Sequence, residues 1–145
     1  MSNREVREGE TGIKLFGEGP NQKGLDEVRI ATAVKDEAQP RKERWTLNLL
    51  AESPTLSPEA LPSLELFKEV LQKTQAGEIG SEWVFYIHGF NQSFKKTLEA
   101  SLDLTQTYGV NVIVFSWVAN PGGLVPGEYI RARQAAKASS NAVDR

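Results

Sequence analysis

The sequence predicts an α/β fold whose sheet is mostly parallel and is opened by a hairpin. Three observations carry this. Two continuous apolar runs, WVFYI from Trp83 and NVIVFSW from Asn111, read as strands buried on both faces. Between them Phe94, Leu98, Leu102 and Thr105 recur at helical spacing, with Glu99 and Asp103 on the other side, so strand, helix and strand form a crossover that makes the two strands parallel. Upstream, Val28, Ile30, Thr32 and Val34 alternate, and after a charged connection so do Trp45, Leu47 and Leu49, the pattern of neighbouring strands.

The remaining elements follow in order. Residues 1–24 mix charges with five glycines and offer only Ile13, Leu15 and Phe16 as apolar anchors, which reads as a flexible N-terminal arm preceding a domain over 25–145. From Ser53 to Pro62 three prolines mark a loop. Leu64, Phe67, Val70 and Leu71 then define an amphipathic helix that Gly77 stops. The helix after His88 begins near Ser93 and ends at Tyr108, where Gly109 is placed as a left-handed C-terminal stop. An alanine-rich helix runs from about Glu128 to the last residue.

Composition narrows the chemistry. The chain has 145 residues, 39% of them hydrophobic and 25% charged, enough for one self-sufficient core. With no cysteine, thiol nucleophiles, disulfides and thiolate metal sites are excluded, and a single histidine, His88, leaves no histidine-rich metal site, so neither metal nor cofactor is expected. Seventeen basic residues against nineteen acidic ones give a net charge of −2, which favours neither nucleic acid nor an anionic membrane as partner. MSNREVREGE has no apolar core of a signal peptide, and no run approaches the roughly 18 apolar residues of a membrane span, so a cytoplasmic location is expected.

In an open α/β sheet, ligands bind beyond the carboxyl ends of the strands. That crevice would collect His88, Gly89, Phe90, Asn91 and Ser93 from one loop and Ser116, Trp117 and Asn120 from the other. Gly89 suits a tight turn out of the strand, and the amides of Phe90 and Asn91 near a helix N-terminus are expected to face the crevice, where they would favour an anion. The alternative for these residues is purely structural: a strand-end histidine tied to a backbone carbonyl, and Asn91 or Ser93 as an N-cap. Pro121, Gly122, Gly123 and Gly127 lack the spacing of a phosphate loop and read as loop breakers, and Arg131, Arg133 and Lys137 as a solvated helix face.

VFYIHGFNQSF followed by VIVFSW resembles the α/β-hydrolase superfamily, and within it a branch of bacterial hydrolase-like proteins of undefined substrate. The resemblance covers about Trp83 to Arg145, and the hairpin and first helix suit that fold's opening, so it implies the first four strands of an incomplete α/β-hydrolase fold. It implies that the Phe90 N–H is an oxyanion-hole donor for acyl transfer on an ester, thioester or amide. Where the family continues Phe-Ser-Trp-Pro-Ser, this chain has Val118 and Ala119. The family's nucleophile, acid and catalytic histidine all follow the strand ending at Trp117, and no Gly-x-Ser-x-Gly elbow occurs here, so no catalytic residue is assigned. The chain therefore reads as a truncated N-terminal half, inactive alone. Either it supplies the oxyanion loop to a complementing chain, or it is a non-catalytic module that binds through the crevice or the exposed sheet edge. In that fold the strand Trp83 to His88 lacks its next neighbour, which predicts self-association or a complementing chain along that edge.

Overall fold

The computed structural model describes residues 1–41, 43–51, 57, 60–119 and 126–143. Its elements are β1 (Arg4–Val6), β2 (Phe16–Pro20), β3 (Ala31–Lys35), β4 (Trp45–Leu49), α1 (Pro62–Gln75), β5 (Trp83–Ile87), α2 (Phe94–Tyr108), β6 (Asn111–Phe115), α3 (Pro126–Ala138) and α4 (Ser140–Val143). The α/β class holds, as do the hairpin β3–β4 and the parallel pair β5–β6 joined through α2. The strands nevertheless form three two-stranded sheets and not one mostly parallel sheet.

The N-terminal residues are the physical reason for that difference. The Met1 amino group donates to the Val114 carbonyl at 2.7 Å and the Ser116 N–H donates to the Met1 carbonyl at 2.9 Å, so the outer edge of β6 is already taken where the hairpin would have paired. Ser2 bridges Ser116 on one side and Arg29 on the other. Residues 1–24, read as a flexible arm, thus form the β1–β2 pair and join the hairpin to β6, with Ser2, Asn3 and Arg4 buried. Counting apolar anchors missed this because these residues are held by hydrogen bonds.

Two apolar clusters make the core. Phe16, Trp45, Phe94 and Leu98 pack with Ile13, Leu15 and Leu47 between the hairpins and α2, and Lys35 lies over the Trp45 ring. Phe115, Trp117 and Ala119 pack against Ala132 of α3 and Ala142 of α4. The helix N-cap at Ser93 and the left-handed Gly109 (φ 67°) stand where the sequence placed them. The alanine-rich helix is interrupted at Ser139.

Two expectations of burial fail. α1 forms over the expected residues with Pro62 at its start, but none of its side chains is buried, and Phe67 and Leu71 stay exposed. It overhangs a cavity of about 550 Å³ whose walls include Trp45, Leu66, Phe67, Val70, Leu98 and Leu102. β5, read as covered on both faces, is exposed at Trp83 (40%), Phe85 (47%) and Ile87 (49%), because among the described residues its only strand neighbour is β6. No helix among the described residues is long and apolar enough to cross a membrane.

Candidate functional site

The parallel register sets Ile87 against Phe115, so the loops leaving β5 and β6 emerge side by side. His88, one residue past β5, is buried. Its Nδ1 lies 2.9 Å from the Gly89 carbonyl oxygen, which only accepts, so the partners assign the proton to Nδ1. Nε2 is then an acceptor, 3.1 Å from the Trp117 N–H and 3.4 Å from Ser116 Oγ. The Trp117 indole returns a bond from Nε1 to the His88 carbonyl at 2.7 Å, and the two rings stack 5.5 Å apart with 5° between their planes. Burial lowers the His88 pKa below its ordinary value, with the bond to the Gly89 carbonyl opposing. The histidine is therefore a neutral brace between the strand ends, with both ring nitrogens engaged.

A second brace lies beneath the loops. Arg4 is fully buried, and its guanidinium reaches Ser116 Oγ (Nε, 3.0 Å), Glu18 Oε2 (Nη1, 2.6 Å) and the Gln92 carbonyl (Nη2, 3.2 Å). Burial lowers its pKa from the ordinary value and the neighbouring Glu18 carboxylate opposes. Glu18–Arg4–Ser116–His88 is thus a continuous polar chain linking β2, β1 and the ends of β6 and β5. Ser116 is fully buried, so its hydroxyl belongs to this chain and not to the crevice surface.

The exposed part of the site is the loop from Gly89 to Gln92. The sharp turn sits at Asn91, whose φ of 60° is left-handed, a conformation asparagine tolerates. Gly89 is not left-handed, and a Cβ there would meet nothing within 4 Å, so the expectation that Gly89 makes the turn is corrected. The Asn91 N–H donates to the Ala119 carbonyl at 3.1 Å, which removes it from the crevice and ties the two loops together. The Phe90 N–H has no partner among the described residues. The Phe90 ring meets Tyr129 of α3 edge-on at 5.6 Å. Ser93 accepts from the Lys96 N–H and caps α2, so it serves the helix.

Of the residues expected in the crevice, the structure brings together His88, Gly89, Phe90, Asn91, Ser116 and Trp117, and leaves the N–H groups of Gly89 and Phe90 at the loop surface without a partner among the described residues. Asn120 and residues 121–123 of the glycine pair's loop lie outside the described residues. Arg4 and Glu18 were missed, since nothing in local spacing connects Arg4 with a hydroxyl 112 positions away. The positive end of α2 favours negative charge near this loop, while the Arg4 charge is already met by Glu18. Among the described residues no group of acidic or histidine side chains is arranged to hold a metal ion. The chain matches no family model, no curated protein and no solved structure.

Proposed function

We propose that this chain supplies the oxyanion-hole part of an acyl-transfer site of the serine-hydrolase kind, acting on esters, thioesters or amides only where another polypeptide segment brings the nucleophile. The supporting observation is the Phe90 N–H, free of any partner among the described residues at the carboxyl end of β5, on a loop pinned by His88, Asn91 and Arg4. A donor held in this way needs no reorganisation when negative charge develops, and one such donor contributes on the order of 3 kcal/mol to a transition state. The hairpin, the helix α1 and the β5–α2–β6 crossover suit the opening half of an α/β-hydrolase fold, as the motif resemblance implies.

The test is a titration of the ¹⁵N-labelled chain with methylphosphonate, a tetrahedral anion. The expected result is a saturating shift of the Phe90 amide that exceeds the shift at Asn91, whose N–H is already bonded to Ala119. No response at Phe90 overturns the reading. A fluorophosphonate probe is expected to leave the chain unlabelled. A second reading, a non-catalytic binding module, is favoured by the full engagement of His88 and is the one that survives if Phe90 is silent.

A further inference from the structure

The two edges of the β5–β6 pair are not equivalent. In a parallel ladder each residue directs its N–H and C=O to the same side, and the side alternates along the strand. The Asn111 N–H bonds to the Glu82 carbonyl, so Glu82 faces β6, and with it Val84, Tyr86 and His88. The same alternation turns Val114 and Ser116 of β6 outward, which is where Met1 meets them. Trp83, Phe85 and Ile87 therefore present their N–H and C=O groups to the open side of β5, and among the described residues nothing pairs with them.

This edge carries none of the usual protections. Trp83 to Ile87 contains no charge and no proline, and the strand has no bulge. Trp83, Phe85 and Ile87 share one sheet face, which the register extends to Ile113; Trp83 and Ile113 also line the cavity beside α1, whereas Phe85 (47% exposed) and Ile87 (49%) do not. An exposed apolar stripe beside an unpaired edge marks an association surface.

We propose that the occupant is a second copy of this chain, paired antiparallel through β5 about a twofold axis at Phe85. In that register Phe85 faces the partner's Phe85 and Trp83 faces the partner's Ile87. Every outward N–H and C=O of Trp83, Phe85 and Ile87 then finds a partner, because all three residues fall in hydrogen-bonded pairs. Glu82 lies opposite the partner's His88, so no like charges oppose one another at the ends of the ladder. Parallel addition of a copy would leave a new open edge each time, whereas the twofold arrangement closes. The apolar stripe, on the order of 400 Å² per copy, is less than the roughly 800 Å² per partner of a stable complex, so the dimer is reversible and concentration-dependent. This inference concerns the edge of β5 and not the Phe90 amide, so its test is read separately from that of the proposed function; a complementing segment pairing along β5 would displace the second copy.

Because the chain has no cysteine, one engineered cysteine reports the register. Phe85→Cys places two Cα atoms about 5.5 Å apart across the axis, within disulfide reach, whereas Tyr86→Cys leaves its counterpart about 7–8 Å away. Sedimentation across a hundredfold concentration range is expected to show a monomer–dimer equilibrium. Mild oxidation is expected to link Phe85→Cys into a dimer and to leave Tyr86→Cys monomeric, and Phe85→Lys is expected to shift the equilibrium at least tenfold toward monomer. A monomer at every concentration overturns the proposal. So does a dimer that links equally well through Tyr86→Cys, or open-ended growth without a dimer end point.

Discussion

His88 spends both ring nitrogens inside the fold, and its chemistry follows from that. Burial lowers its pKa, so as pH falls the unfolded chain, with an ordinary value of about 6.5, takes up the proton first. A base lowered in the folded state contributes stability above the unfolded pKa and loses it as pH falls through the folded one. The buried Met1 amino group, lowered to about 6, acts in the same sense between pH 8 and 6. Thermal unfolding is therefore expected at lower temperature at pH 5.5 than at pH 7.5. His88→Gln is expected to flatten that slope, leaving the share that belongs to Met1. An unchanged slope in His88→Gln contradicts the buried, neutral assignment. At this scale the sequence was partly readable: a lone histidine at a strand end has a structural use available in a nearby backbone carbonyl, and the Gly89 carbonyl fills it. Arg4 was not readable. Its partners Ser116, Glu18 and Gln92 come from three other parts of the chain, and no local pattern records such a meeting.

Helix α2 shows how local rules succeed where the chain dictates its own boundaries. Ser93 satisfies an orphan amide at its start, and Gly109 takes the left-handed position at its end. Ser93→Ala is expected to cost about 1 kcal/mol. Gly109→Ala is expected to cost about 1–2 kcal/mol, all of it from the positive φ, because a Cβ there meets nothing within 4 Å. Chemical denaturation of the two variants checks both values, and a neutral Gly109→Ala contradicts the cap. Strands are different. The apolar run of β5 signalled burial, yet what covers a strand is decided by neighbours outside the run, and here one edge has no strand partner among the described residues and Phe85 and Ile87 stay exposed. The same reasoning applies to α1, whose apolar stripe was legible while its lack of close packing was not.

Over the whole molecule, the N-terminal residues decide the architecture. Met1 and Ser2 occupy the outer edge of β6, Arg4 braces the loop ends from below, and the three strand pairs meet through these contacts and not through one ladder. The crossover and the hairpin were legible from periodicity, whereas this joining rests on hydrogen bonds from Ser2, Asn3 and Arg4, residues whose composition suggests solvent. The outcome is a loop pinned at His88 and Asn91 whose Gly89 and Phe90 N–H groups have no partner among the described residues, beside an open strand edge. Residue-resolved amide exchange, run dilute enough to keep the chain monomeric, compares the two neighbouring amides on which the account depends. Asn91 is expected to exchange slowly, held by the Ala119 carbonyl, and Phe90 at close to the rate of an unprotected amide. Equal protection at both positions, or a protected Phe90 beside an unprotected Asn91, would contradict the assignment of Phe90 as a free donor of the site.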